Sequence, residues 1–252
     1  MSKQQYPRQP GPKHDVGVDY VDILFEDEAL IAVNKPARLP MHANLDPNRC
    51  HLVGVLSRQL QERDGEPGYL GIHQRLDWGT SGVVVFTRSR EVNANIAEQF
   101  ERHSLSKIYL ALAMGERWPH RESWKVSVPL GEPLRKGGRV QLGGRTAVPA
   151  RTNFRLLQRR GKYGLVEAHL ETGRKHQIRA HLLSIGLHLC GDELYGGALI
   201  GAGTATERPM LHARSLSLVH PTSGQKLTLV APVPADMIEL AQRLGINSTL
   251  LK

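Results

Sequence analysis

The sequence predicts an α+β fold built on a mixed or antiparallel sheet. Strand-like segments outnumber helical ones and are mostly hairpin-connected, which favours it over a doubly wound sheet. The chain has 252 residues, 40% of them hydrophobic and 23% charged, which suits one large globular domain or two small ones. Its 33 Lys+Arg against 24 Asp+Glu leave a net charge of +9, a surplus that fits a polyanionic partner, nucleic acid first.

Residues 1–19 are rich in proline and glycine and poor in large apolar side chains, so a flexible, mildly basic tail is expected, with a single domain over 20–252. Short strands are expected at 21–25 and 30–33, the second ended by Asn34-Lys35-Pro36. The stiff basic loop that follows, KPARLPMH, is either a substrate contact through Lys35 or a simple proline-rich connector. Leu52, Val55, Leu56 and Leu60 have helical spacing, predicting a helix over 51–63.

Residues 72–88, IHQRLDWGTSGVVVFTR, form the centre of the chain, with a charged corner at Arg75-Leu76-Asp77 ahead of the apolar run 83–86, which reads as a buried strand. A carboxylate at the edge of a core is costly without a cationic partner, so Asp77 is either a turn cap or a paired functional acid. Ser89 is the expected N-cap of a second helix reaching His103, with Val92, Ile96 and Phe100 as its buried stripe. In SKIYLALAM, residues 106–114, alternation sets Ile108, Leu110 and Leu112 on one face of a strand and Lys107, Tyr109 and Ala111 on the other.

Residues 132–144, with Arg135, Lys136 and Arg139 among glycines, predict a basic hairpin tip between strands near 123–129 and 147–157; a solvated basic face is the alternative. A strand at 165–170 leads into ETGRKHQIRAHL, where a helix is expected from Arg174–His176 to Ile185, stopped by Gly186. Arg174, Lys175 and His176 crowd a helix N-terminus that is already positive, an arrangement that suits an arriving anion. The loop HLCGDELYGG, strands from Leu211 and at 227–230, and a last helix over 234–244 complete the chain.

Several chemistries fall away on residue types. There is no GxxxxGK[ST] loop, HExxH or GxSxG, and Cys50 and Cys190 form no CxxC pair. His176 and His181 stand at i and i+5, not the i and i+4 that would present both to zinc. No metal site is indicated. With no run of about 18 apolar residues, neither a membrane span nor a membrane partner is expected, and a cytoplasmic location with reduced thiols is. What remains is Asp77, Tyr109 and the basic helix start, with Arg179 the best partner for Asp77 through a bidentate pair.

HQRLDWGTSG with VVVFTRS resembles the Arg-Leu-Asp motif of the RluA-type pseudouridine synthases. ETGRKHQIRAHL is similar to that family's second signature and SKIYLAL to its tyrosine motif, while NKPARLPMH, GDELYGG and LHA fall in the family's order. The likeness runs from about Tyr20 to Val230. It implies a central mixed, largely antiparallel sheet flanked by helices with a cleft across it, and a catalytic domain over 20–252. It also implies isomerisation of uridine to pseudouridine in structured RNA, ribosomal or transfer, without metal or organic cofactor. Asp77 would be the essential acid, as nucleophile or as base; Tyr109 would stack on the base and Arg179 would pair with Asp77. Arg75 would fill the space left by the flipped uridine. Lys35, Lys107, Arg174, Lys175, His176, Arg135, Lys136 and Arg139 would contact RNA.

The chain departs from the family's usual His-Arg-Leu-Asp-Arg-x-Thr-Ser-Gly at Gln74 and at Trp78-Gly79, where altered contacts to the flipped base are expected. The tail is too short for an S4-type domain, and a monomer is expected. The rivals are a non-catalytic RNA-binding module on the same fold, and a glycosidase using a second carboxylate such as Glu171 or Asp192.

Overall fold

The computed structural model describes residues 17–43, 49–135, 137–197, 206 and 208–251. Most of the expected tail and Lys136 lie outside the described residues. In chain order the elements are β1 (Asp22–Glu26), β2 (Leu30–Lys35), α1 (Leu52–Asp64), β3 (Gly71–Ile72), β4 (Ser81–Thr87), α2 (Asn93–Glu101) and β5 (Ser106–Met114). Then come β6 (Ser123–Val126), β7 (Leu130–Gly131), β8 (Gln141–Leu142), β9 (Thr152–Arg160), β10 (Tyr163–Leu170), α3 (Gln177–Ser184) and β11 (His188–Leu189). A 3-10 turn at Glu193–Tyr195, β12 (Leu211–Val219), β13 (Lys226–Val230), α4 (Ala235–Arg243) and a 3-10 turn at Ser248–Leu251 follow.

Among the described residues, one 11-stranded sheet runs in the order β1-β2-β4-β12-β5-β10-β9-β6, with β3, β13 and β11 pairing alongside β4, β12 and β5. The expected mixed, largely antiparallel architecture is what forms: β4 and β12 are parallel, and every other pair in this sheet is antiparallel. The basic hairpin is present as well, β7 pairing with β8. No helix among the described residues is long and apolar enough to cross a membrane.

Strand β4 reads as an unbroken apolar run because both of its faces are covered. Val84 and Phe86 pack with Leu52, Val55, Leu56 and Leu60 of α1, while Val83 and Val85 pack with Ile96 of α2 and Leu216, Leu218 and Leu229. The other half of the sheet is built alike. Val166, Ala168 and Phe154 meet Ile178 and Leu182 of α3, and Leu110, Leu112 and Leu165 meet Met237 and Leu240 of α4. Tyr109 touches the α1-side and the α3-side clusters, so it stands between the two halves on one face of the sheet.

The halves join at a short parallel seam. His212 pairs with Ser81 and Ala213 with Gly82, and Ala213 pairs on its other side with Tyr109. The Ser81 hydroxyl and His212 Nδ1 lie 2.9 Å apart, and His212 Nε2 is 3.3 Å from the Ala231 carbonyl, so a fully buried imidazole ties β4 to β12. A bulge in β12 between Ala213 and Ser215 breaks the register beside Tyr109. The cleft lies beside this seam.

Two helix starts differ from expectation. Helix α2 begins at Asn93 because the Ser89 hydroxyl is used by the Glu91 N–H (3.2 Å) in a local turn ahead of the helix. Helix α3 begins at Gln177 because His176 adopts a left-handed φ of 53°. Gly186, at φ 77°, terminates α3 as expected, with the Leu187 N–H bonded to the Leu182 carbonyl (2.9 Å).

Gly82 is the tightest point of the seam: its φ is +115°, and a Cβ there would lie 2.2 Å from the Ala213 carbonyl oxygen. Gly82→Ala is therefore expected to destabilise the fold by about 3 kcal/mol, combining overpacking with a strained φ. Urea unfolding of the variant beside the parent checks this.

Candidate active site

Asp77 sits in the loop between β3 and β4, and the backbone of that loop is clamped by groups distant in sequence. The Thr80 N–H donates to the Asp77 carbonyl at 3.0 Å, closing the turn, and the Arg38 N–H donates to the Trp78 carbonyl at 2.7 Å. Arg208, almost fully buried and bidentate to Asp236 (2.6 and 2.7 Å), donates to the Gly79 carbonyl at 3.2 Å.

Lys35, expected to contact RNA, is instead fully buried. Its ammonium donates to the carbonyls of Pro36 (2.9 Å) and Leu39 (2.8 Å) and lies 3.5 Å from that of Trp78. Burial and the Arg208 charge pull Lys35 down to about 7, with Asp77 opposing. It is a brace beneath the Asp77 loop and faces no phosphate. Trp78 and Gly79, expected to alter contacts to a base, are not among the residues lining the cleft. Gln74 uses its amide to donate to the Val83 carbonyl (3.1 Å), and His73 stacks on Phe100 at 6.3 Å.

The Asp77 carboxylate meets α3 through one oxygen. Arg179 Nη1 donates to Asp77 Oδ2 at 3.2 Å, and His176 Nε2 lies 3.8 Å from the same oxygen. The expected pairing of Asp77 with Arg179 is present but not bidentate, because the fork of Arg179 is taken by Asp192: Nε to Oδ2 at 2.7 Å and Nη2 to Oδ1 at 2.8 Å. The Asp192 side chain is 1% exposed and that of Asp77 28%, so the inner pair is dry while Asp77 opens to the cleft. Burial opposes the Arg179 charge, but hydrogen bonding and attraction from Asp192 outweigh it and raise its pKa. The cation therefore stays in place.

Tyr195, from the same turn as Asp192, completes the assembly. The Arg179 guanidinium lies 4.8 Å above its ring, and its hydroxyl accepts the Val140 N–H at 2.9 Å and lies 3.1 Å from His176 Nδ1. Burial pulls His176 down to about 4, against the attraction of Asp77, so the ring is neutral near pH 7. Burial, with Asp77 adding, also raises the pKa of the Tyr109 phenol and keeps it protonated. An open cleft of about 370 Å³ is lined by Arg75, Asp77, Tyr109, Arg174, His176 and Arg179, among others.

The remaining basic residues divide by position. Arg75, Arg174 and Lys175 are exposed at or beside the cleft, and Arg135 is exposed on the hairpin. Arg139 donates to the Leu194 carbonyl and lies 5.8 Å over the Tyr195 ring, so it packs the hairpin onto the site. Lys107 is largely buried, its ammonium 5.7 Å above the Phe100 ring. Sequence reasoning weighed Asp192 only as a second carboxylate or a loop cap, and missed Tyr195 and Arg208. The motif GDELYGG was the available signal for the first two. Among the described residues no group of three His, Cys, Asp or Glu could hold a metal.

Residues 29–184 match the model of the RNA pseudouridylate synthase family. The chain is 37% identical over 228 residues to the uncharacterized RNA pseudouridine synthase YhcT of Bacillus subtilis, covering 88% of this chain and 72% of that one. It is 36% identical to the ribosomal large subunit pseudouridine synthase D of Nitrosomonas europaea, covering 88% of this chain and 64% of that protein's length. The solved structure of human RNA pseudouridylate synthase domain containing 4 superposes with a TM-score of 0.74 at 26% identity, covering 90% of this chain and 94% of the other. Fold and relatives together define an RNA pseudouridine synthase, an isomerase that converts uridine in RNA to pseudouridine. Within that class, the chain belongs to the RluA-type family.

Asp192→Asn keeps the shape of the inner pair but removes its charge, and is expected to cost about 3 kcal/mol by leaving Arg179 buried without its main counterion. Urea unfolding measures that loss. A pH effect follows from two imidazoles at the site and the seam, because His176 and His212 are each pulled from 6.5 to about 4 on folding, mainly by burial. The unfolded chain takes up protons that the folded chain refuses, so stability is complete above about 6.5 and drains as pH falls toward 4. Unfolding midpoints that stayed level across this window would contradict it.

Proposed function

We propose that Asp77 is the reacting acid for isomerisation of a specific uridine in ribosomal or transfer RNA. Uridine and pseudouridine are isomers: the base leaves the ribose at N1 and returns through C5, and the C5 proton is replaced by one on N1. Atoms and electrons balance without an oxidant or a co-substrate, so an ionised carboxylate that acts as nucleophile or as base suffices, and no cofactor is called for. The observation that carries this reading is a carboxylate open to the cleft yet held through one oxygen by a cation that is itself locked on a second, buried carboxylate.

The target atoms cannot be reached inside a stacked helix, so the uridine is flipped into the cleft. Tyr109, rising from the floor at the seam, stacks on the base, and exposed Arg75 occupies the space it leaves. Arg174, Lys175 and Arg135 hold phosphates, with His176 in the cleft beside them. Residues 20–252 act as one catalytic domain, working as a monomer in the cytoplasm. A non-catalytic RNA-binding module is not favoured, because the relatives are named as synthases. A glycosidase reading loses its second acid, since Asp192 is committed to Arg179 and Glu171 to Lys125 and Asn153.

Asp77→Asn and Asp77→Ala are expected to abolish pseudouridine formation while folding and RNA affinity persist; pseudouridine mapping of RNA from cells carrying each variant reads this. Normal modification by either would sink the proposal. Replacing Arg174 and Lys175 together by alanine should weaken RNA binding across all sequences. On single-stranded RNA the slope of log affinity against log salt should flatten by about 0.7 for each phosphate no longer neutralised. A binding titration over salt concentration measures that slope.

A further inference from the structure

Tyr195 is not among the residues lining the cleft, yet it contacts His176, Arg179 and the β7–β8 hairpin at once. A phenol carries one hydrogen and accepts through its lone pairs. Here the Val140 N–H already points at the oxygen, at 2.9 Å, so the phenolic hydrogen must go elsewhere. His176 Nδ1 lies 3.1 Å away, and the two rings meet edge-on at 5.6 Å and 83°. If Tyr195 donates to Nδ1, the single hydrogen of a neutral imidazole must sit on Nε2, the nitrogen 3.8 Å from Asp77 Oδ2. The opposite tautomer would aim the Nε2 lone pair at a carboxylate oxygen and leave the phenolic hydrogen without this acceptor. Two separate contacts thus select the same tautomer.

The rest of the surroundings agree. The charged groups facing His176 are Asp77 and Asp192 on one side of the balance and Arg179 and Lys175 on the other, and burial outweighs them all to keep the ring neutral. Burial also raises the pKa of the Tyr195 phenol, which keeps its hydrogen available. His176 holds a left-handed φ of 53° at the start of α3, a conformation that costs a non-glycine residue and that its neighbours must enforce. Both contacts to Asp77 fall on Oδ2, and among the described residues none falls on Oδ1.

Building on Asp77 as the reacting acid, we infer that Tyr195 is a positioning residue that holds His176 as the Nε2–H tautomer facing Asp77 Oδ2, leaving Oδ1 as the oxygen that reacts. At 3.8 Å the imidazole contact is electrostatic. It shortens to a hydrogen bond when RNA seats, as such contacts do on forming a productive complex. The carboxylate then has two donors on one oxygen and a free lone pair directed into the cleft on the other.

The tautomer can be read directly by long-range 15N–1H correlation on uniformly 15N-labelled full-length protein near neutral pH, with the His176 ring assigned from its disappearance in His176→Gln. The expected pattern is a protonated Nε2 and a bare Nδ1. A protonated Nδ1 or a doubly protonated ring overturns the inference, whether or not Tyr195→Phe folds. Tyr195→Phe keeps the ring over Arg179 but removes the hydroxyl. It is expected to lower kcat about tenfold, the worth of one hydrogen bond, with KM for RNA unchanged and the tautomers mixed. An unchanged kcat overturns the positioning role. His176→Gln, whose amide nitrogen can take the place of Nε2–H, should lose less activity than His176→Ala, and adding Tyr195→Phe to it should cost nothing more; a further fall would place the action of Tyr195 elsewhere. If Asp77→Asn stayed active, the role of Asp77 would fail while the ring-nitrogen pattern stood, so the two readings fail separately.

Discussion

The site depends on how Arg179 divides its hydrogen bonds. A guanidinium offers a planar fork that matches one carboxylate, and here the fork is given to Asp192, leaving a single Nη1 donor for Asp77. The division separates two tasks that one pair could not perform together. Asp192, dry and doubly bonded, neutralises and orients the cation. Asp77, partly open, receives enough attraction to stay aligned and keeps an oxygen unoccupied. Were the fork turned to Asp77, both carboxylate oxygens would be engaged and Asp192 would be buried without its counterion.

This arrangement needs a fold that brings a loop before β4 against the start of α3 across a gap. Each half of the sheet has its own helices on both faces. Their strands meet at the short parallel pairing of Ser81 and Gly82 with His212 and Ala213, and Val83 and Val85 pack on Leu216, Leu218 and Leu229 beside it. The cleft opens beside this join, with Tyr109 in its lining and packed against the clusters on either side.

Much of this was legible in the sequence, because periodicity records burial. The run at 83–86, the alternation at 106–114 and the helical stripe of Leu52, Val55, Leu56 and Leu60 each appear where the pattern placed them. The pairing of Asp77 with Arg179 was legible from the cost of a desolvated acid beside a crowded basic helix start. Asp192 was not, because its local role is genuine: it accepts the Tyr195 N–H at 3.2 Å, as a loop cap would, and nothing along the chain reports its distant partner. Lys35 misled for a related reason. A lysine among prolines reads as an exposed basic loop, whereas its surroundings are carbonyls brought together only by the fold. The α3 boundary moved because a left-handed histidine leaves no trace in apolar spacing.

The contact behind Gly79 bears on how this loop can be exchanged among relatives. A Cβ at Gly79 would come within 2.7 Å of Pro209 Cδ, and the Gly79 carbonyl is held by Arg208, so the segment just before β12 forms the rear wall of the Asp77 loop. Loop and wall are therefore a matched pair separated by about half of the chain. A chimera that imported a relative's loop with a larger residue in place of Gly79 would have to import the segment around Pro209 too, or the acid would be displaced with its own sequence intact.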